Sequence, residues 1–435
     1  MISYRQHTLP RDWDAIVIGS GIGGLAAAAC LAKAARKRVL VLERHYTAGG
    51  FTHSFHRPNY VWDVGVHYVG QARQESAPVR AAFDWLTDGA LQWEPMPEVY
   101  DRLEIAGHKF EFPTGVERLR ERLKQDFPSQ AGAIDRYLAG VLAAQKAAGL
   151  YFAEKAVPRP LARLAGGLMR APFLRWAGRT TLEVLKEWTR DRELSGVLTA
   201  QWPDYGLTPA RSSFGIHAIV SGHYYGGASY PAGGGSRLAA AIAPVIEREG
   251  GQVAVAAEVA EVLVERGRAV GVRMADGRDF RAPVVISDAG ARNTYERLAP
   301  VPEAARAAIR AIPPSCAHLT LYVGLDRDGG ELGLSGSNLW IYPGPDHDAN
   351  LERFARDPSA PFPVVFLSSP SAKDPEYRRE HPGRSTLEVI TVAPYDWFAR
   401  WENSRWKRRP AEYDAFKAAL AGRLLPVLAG FILLL

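Results

Sequence analysis

The sequence predicts an α/β fold in more than one lobe, with a buried parallel sheet close to its start. Three observations predict it. A chain of 435 residues is too long for one compact core. Residues 14–18, DAIVI, form a short run of apolar, mostly β-branched residues with no polar alternation, as a strand buried on both faces should. A glycine-rich turn, an alanine-rich stretch (25–35) and a second apolar run (38–42, RVLVL) follow at the spacing of a strand–helix–strand unit.

Each element has its own warrant. Gly19, Gly21 and Gly24 give G-x-G-x-x-G between the first strand and the helix. The first glycine permits a tight turn, the second lets a diphosphate approach the backbone, and the third lets helix and strand pack closely. The helix N-terminus then offers free N–H groups and the positive end of its dipole. Ala26 to Ala29 keep that helix thin. The second strand ends in Glu43, about twenty residues past the turn, where a dinucleotide fold places an acceptor for ribose hydroxyls. Gly49 and Gly50 follow shortly, a second loop without side chains. A nicotinamide dinucleotide needs no second approach of that kind, whereas the ribityl arm of FAD does, so FAD is preferred to NAD.

Composition closes several other routes. Hydrophobic residues make up 47% and charged residues 23% of the chain, so disorder is not expected. The net charge of +6 suits an anionic surface. The basic residues are mixed with acidic ones and no nucleic-acid module is recognisable, so nucleic acid is not an expected partner. Cys30 and Cys316 are the only cysteines, which fits a reducing, cytoplasmic compartment; Cys30, inside the alanine run, reads as a small buried thiol. The N-terminus lacks the apolar core of a signal peptide. No run of 18 apolar residues occurs, and the last twelve residues, LLPVLAGFILLL, are too short to span a bilayer. His53, His56 and His67 cluster after the double glycine without metal-ligand spacing, so no metal is expected. Serine-hydrolase, Walker and kinase signatures are absent from the sequence, as is a second G-x-G-x-x-G.

With those motifs in hand, the chain resembles the FAD-dependent amine-oxidase-like superfamily, and within it the branch of phytoene desaturases, carotenoid cis–trans isomerases and retinol saturases. The resemblance is carried by GGFTHSFHRPNYVWDVGVHYVG (49–70), SYPAGGGSRLAAAIAPVIEREGGQV (229–253), RAVGVRMADGRDFRAPVVISDAG (268–290) and LEVITVAPYDWFARW (387–401), so it spans nearly the whole chain. It implies a Rossmann-type FAD-binding domain made of residues 10–72 and 229–298. Residues 73–228 and 299–435 would form an α+β substrate domain with a helical, membrane-facing cap. It further implies that Gly19, Ser20, Gly21, Gly24, Glu43, Arg44, Gly49 and Gly50 hold the ADP and ribityl groups, with the Val259 backbone beside adenine. Where amine oxidases of the superfamily often carry arginine after the double glycine, this chain has Phe51, which favours the polyene branch. The family usually closes with a strand and a glycine-rich helix start that cap the flavin; the residues up to 435 show no such element.

The implied activity is FAD-dependent chemistry on carbon–carbon bonds of a hydrophobic polyene or isoprenoid lipid: saturation, desaturation or cis–trans isomerisation. An amine or amino-acid oxidase, or a catalytically silent nucleotide-binding remnant, are the alternatives. The electron donor or acceptor is not named by the sequence. His67 and Tyr68 are the candidate catalytic pair, either at the flavin face of the cavity or as a satisfied core contact.

Other segments admit two readings each. Gly226–Gly227 and Gly233–Gly235 flank Tyr230 and Pro231 ahead of a helix reaching about residue 249: a flexible loop with Ser236 as helix cap, or a helix start aimed at the cofactor. Residues 151–179 hold six Lys/Arg among Leu, Phe, Met and Trp, broken by Pro and Gly into short amphipathic pieces. They would lie in a lipid interface, giving a peripheral membrane protein, or cover a substrate cavity. Trp397, Trp401 and Trp406 sit close together near the end, as tunnel wall or core. Residues 316–325 and 385–394 read as strands, and 408–425 as a helix with Pro410 near its start.

Overall fold

The computed structural model describes residues 1–433 apart from Pro314 and Trp406; the Trp406 expectation therefore lies outside the described residues. A five-stranded, all-parallel sheet runs in the order Ile2–Ser3, Gln252–Val255, Val39–Leu42, Ala15–Ile18, Val285–Ser287. Ala15–Ile18 and Val39–Leu42 are buried at every position, which explains their unbroken apolar character. Alternate side chains go to opposite faces. Ala15, Val17, Val39 and Val41 pack under the helices Ile22–Ala35 and Ser236–Arg248. Ile16, Ile18, Leu40 and Leu42 pack against a three-stranded antiparallel sheet, Val259–Glu265, Arg268–Met274 and Asp279–Arg281.

The other large sheet has six strands in the order Ala317–Leu325, Ser385–Ala393, Val365–Ser368, Asn338–Tyr342, Val99–Ile105, His108–Pro113. Its pairings are antiparallel except that Asn338–Tyr342 runs parallel to Val99–Ile105. Its apolar side chains share one core with the helices Val116–Asp126, Ala131–Ala156 and Phe214–His223. The hairpin Ser54–Arg57/Tyr60–Asp63 and the strand Ala228–Pro231, paired to Val69–Gly70 and Trp93–Pro95, join the two sheet systems.

Four expectations need correction. The first helix begins at Ile22, three residues before the alanine run, because its N-terminus is the glycine turn itself. Cys30 is exposed rather than buried: Leu25, Ala28, Ala29 and Ala32 take the inward stripe of that helix and leave position 30 outside. Ser236 opens its helix but does not cap it; Gly235 is the cap residue and gives no side-chain bond. Residues 151–179 are not broken into short pieces. The helix Arg159–Ala177 runs through Gly166, Gly167 and Pro172. It packs beside Ala131–Ala156, where bare Gly166 makes room for Glu154: a Cβ there would lie 2.8 Å from Glu154 Oε1. Tertiary packing outweighs the propensity cost. The late strands Ala317–Leu325 and Ser385–Ala393 form as the sequence suggests; the last helix, Ala411–Leu433, starts just after Pro410 but runs past the expected end at 425.

Candidate functional site

Two cavities meet at one side chain. The first, of about 750 Å³, is lined by Gly19, Ser20, Gly21, Glu43, Arg44, Gly49, Gly50 and Val259. Of the nine sequence-derived cofactor positions, only Gly24 is not at its surface. Gly24 lies behind the turn, where a Cβ would stand 2.6 Å from the Gly19 carbonyl oxygen, so its role is close helix–strand packing. Gly19 adopts φ +97°, a left-handed backbone that side chains disfavour. The two glycine loops approach each other directly: a Cβ on Gly50 would lie 2.9 Å from the Gly21 Cα. The helix Ile22–Ala35 starts without a side-chain cap, leaving its first N–H groups for an anion.

Ser20 binds the acid and both loops together. Its N–H and Oγ–H donate to Glu43 Oε2 at 2.9 and 2.7 Å, and the Gly49 N–H donates to its Oγ at 3.1 Å. The His45 N–H holds Glu43 Oε1 at 2.8 Å. A carboxylate has roughly four acceptor directions, so Glu43 keeps capacity for ribose hydroxyls. Arg44 and Arg297 are exposed cations on the cavity wall, and neither forms an ion pair among the described residues. Asp288, missed by sequence reasoning, places its carboxylate over the turn: Oδ2 would lie 2.5 Å from a Cβ on Gly21. It is an exposed side chain able to swing away, and it marks the helix start as a place that takes negative charge. Bare backbone, free N–H groups, flanking arginines and a ribose acceptor fit a dinucleotide.

The second cavity, about 950 Å³, shares Phe51 with the first. Leu319, Tyr322, Trp340, Phe366, Ile390 and Phe398 give it an apolar wall, into which His67, Asp204 and His318 set polar groups. His67 Nδ1 lies 2.9 Å from Glu388 Oε2, a fully buried carboxylate. The contact is off the direction of a ring N–H, so it is an ion-pair distance rather than a directed hydrogen bond. Burial pushes the Glu388 carboxyl up, and His67 pulls it partly back.

Behind this wall lies a buried polar network that no local pattern announces. Lys373 Nζ donates to the His67 carbonyl at 2.8 Å, to Asn338 Oδ1 at 2.5 Å and to Ser368 Oγ at 2.7 Å. Burial lowers its pKa to about 7 against the pull of Glu388, Asp101 and Asp63. Asn338 Nδ2 and Gln201 Nε2 donate to the two oxygens of Asp101 at 2.9 and 2.8 Å. Tyr68 is buried within this network and is not part of the cavity wall. Its hydroxyl faces Asp101 Oδ2 at 3.0 Å and Asp204 Oδ2 at 3.2 Å, and its ring stacks on Tyr224 with centroids 4.2 Å apart. The adjacent pair His67–Tyr68 is therefore split, one residue at the cavity and one a layer behind. Glu388 had a sequence signal: a lone acid inside a β-branched run. Asp101, Asp204 and Lys373 had none.

The remaining candidates disperse. His53 packs on His45, with ring centroids 4.9 Å apart. His56 and Gly233–Gly234 line a separate cavity of about 270 Å³. The Gly235 N–H donates to buried Asp63 at 2.7 Å, so that helix start is tied to protein. Trp397 and Trp401 both pack against Phe416 of the last helix, as core.

A profile of NAD(P)-binding Rossmann-like domains matches residues 17–86. All-trans-retinol 13,14-reductase of Danio rerio is 37% identical over 96% of this chain and 72% of its own length. The chain belongs to the retinol 13,14-reductase family. The Homo sapiens retinol reductase is 35% identical over 95% of the chain and 71% of its own length. Chloroplastic prolycopene isomerase of Arabidopsis thaliana is 25% identical over 95% of the chain and 68% of its own length. Among solved structures, an oxidoreductase from Methanosarcina mazei superposes with a TM-score of 0.59 at 18% identity, covering 89% of this chain and 81% of that one. A redesigned putrescine oxidase gives 0.57 at 19%, covering 91% and 79%. The structural likenesses establish a mixed α/β fold, and the profile match puts a Rossmann-like domain at its start. As a retinol 13,14-reductase family member the chain is an oxidoreductase acting on CH–CH groups.

Proposed function

We propose that this retinol-reductase-family chain binds FAD in the 750 Å³ cradle and acts on a carbon–carbon double bond of a long polyene or isoprenoid lipid. The observation that carries the reading is the joining, at Phe51, of the glycine-walled cavity to an apolar one large enough for an extended chain. FAD is favoured over a nicotinamide dinucleotide because the second glycine loop, Gly49–Gly50, closes on Gly21. When bound, the flavin supplies two-electron hydride exchange with a substrate carbon. The protein's part is positional. Gly19, Ser20, Gly21, Glu43, Arg44, Gly49, Gly50 and Val259 hold the cofactor, and Gly24 holds the turn. Phe51, Leu319 and Phe366 keep the reacting carbons dry and in register. His67 faces the cavity as one proton-handling group, and Tyr68 stands behind the wall with its hydroxyl on Asp204.

We also propose the division into 10–72 with 229–298 for cofactor and 73–228 with 299–435 for substrate, a reading supported by the separate five- and six-stranded sheets, although the strand Ile2–Ser3 of the first lies before residue 10. Peripheral membrane contact is part of the proposal. Along Arg159–Ala177, Leu161, Leu164 and Leu168 form one exposed stripe, with Leu164 85% and Leu168 81% exposed. Leu150 and Phe152, near the end of the preceding helix Ala131–Ala156, are exposed as well, and the exposed cations Lys155, Arg159 and Arg163 would meet anionic head groups.

Purified protein tests the reading. Bound flavin absorbance, with a polyene product changed by two hydrogens or by double-bond geometry, is the expected result. A colourless protein that cannot be reconstituted, or peroxide-forming turnover of amines, would refute it.

A further inference from the structure

We propose that Asp204 is the catalytic carboxyl of the apolar cavity, exchanging a proton with a substrate carbon, and that Tyr68 and Asp101 position it from behind. This deepens, and rests on, the polyene reading above.

The geometry is specific. Asp204 ends the short helical turn Trp202–Asp204 and forms part of the cavity wall. Its side chain is exposed, and lies at that cavity, although protein atoms crowd around it. Oδ2 takes the Tyr68 and Tyr224 hydroxyls, each at 3.2 Å. Oδ1 has no hydrogen-bond partner among the described residues.

Hydrogen counting then assigns the proton. The Tyr68 hydroxyl has one hydrogen and faces two carboxylates, Asp101 at 3.0 Å and Asp204 at 3.2 Å. It can serve only one of them; the other contact closes only if that second acid carries a proton. Burial raises the Asp101 carboxyl, but Asn338 and Gln201 as donors, with Tyr68, oppose that rise and favour its ionised form. Asp204 is thus the acid that keeps the proton.

Electrostatics agrees. Burial first, and the Asp101 charge second, raise the Asp204 pKa to about 7, while Tyr224, His67 and Tyr68 oppose the rise. Tyr205 and Tyr342, also nearby, remain neutral hydroxyls with raised pKa values. Water in an empty cavity softens the shift; an apolar chain that expels water restores it. A carboxyl poised near neutrality suits proton transfer in either direction.

The step balances. In reduction, one alkene carbon takes a hydride from the reduced flavin-class cofactor and its neighbour takes the Asp204 proton. The product is a saturated CH–CH pair, an oxidised cofactor and a carboxylate, which regains its proton from water once product leaves. Desaturation runs the same transfers backwards.

Infrared difference titration of the whole protein, labelled with ¹³C-aspartate, reads the acid without turnover. A carboxylic-acid C=O band titrating near neutrality, lost in Asp204→Asn, is expected. With a polyene, Asp204→Asn should lower turnover by about a hundredfold or more while flavin content stays unchanged. Asp101→Asn removes the repelling charge, so the fall of rate with rising pH should move to lower pH. Three results would each overturn the proposal: no such band, Asp204→Asn turnover within about twofold of wild type, or an unmoved pH profile in Asp101→Asn. Loss in His67→Gln with none in Asp204→Asn would transfer the role to His67. A wild-type protein that converts no polyene would refute the substrate reading, and the titration would still decide Asp204.

Discussion

The two cavities are built on opposite principles. The dinucleotide cradle is made mainly of backbone: its glycines come from two short segments, 19–23 and 49–50, with Val259 and Arg297 closing it from later in the chain, and its key feature is the absence of side chains. The apolar cavity is made of side chains, and its polar wall draws on positions as far apart as 67, 204 and 318. Backbone cradles tolerate little change at their glycines. Side-chain walls are held by burial and by networks that must be complete. Damage to the first should appear as lost cofactor, and damage to the second as lost stability or chemistry with cofactor retained.

The largest expected effect lies in the cradle. Gly24→Val would push a side chain into the Gly19 carbonyl, 2.6 Å from the new Cβ. It should cost about 3 kcal/mol in chemical denaturation and abolish flavin retention. A variant as stable as wild type would show that helix and strand do not need this contact.

Next comes Lys373→Met, which leaves the His67 carbonyl, Asn338 and Ser368 without their donor. A loss of about 2 kcal/mol is expected, with flavin content unchanged. The same variant tests pH dependence. Lys373 has a folded pKa of about 7 against an ordinary 10.5, so between these values the unfolded state holds the extra proton. Wild-type stability should therefore gain from this residue as pH rises from 7 to 9. The Met variant should show a flatter curve over that window, and parallel curves would contradict the assignment.

Glu43→Ala comes third. Loss of the ribose acceptor should weaken flavin binding about tenfold, or about 1.4 kcal/mol, read by titration of apoprotein. Unchanged affinity would leave Glu43 as only a brace for Ser20.

The smallest effect on stability, within about 0.5 kcal/mol, is expected for Leu164→Glu with Leu168→Glu, because both side chains are exposed. Vesicle co-sedimentation should fall sharply in the same variant. Retained binding would place membrane contact elsewhere.

Much of the fold was legible because it answers to local rules. An apolar run without alternation, a glycine turn and an acid at fixed spacing demand one backbone path, and the structure follows it from Ala15 to Glu43. Errors arose where the environment comes from distant chain. Cys30 faces outward because its neighbours claim the inward stripe. Residues 159–177 stay helical because a second helix supports them. Tyr68, adjacent to a cavity residue in sequence, points into the layer of Asp101 and Asp204.

The amino-acid sequence by itself determined the parallel nucleotide-binding core, its glycine cradle and the family, since each rests on spacing and on which positions lack a side chain. Only the tertiary structure decided which acids face one another in the dark of the core and which one opens onto the apolar cavity. Their proton affinity comes from lost water and neighbouring charge, and those exist only once segments hundreds of residues apart have packed together.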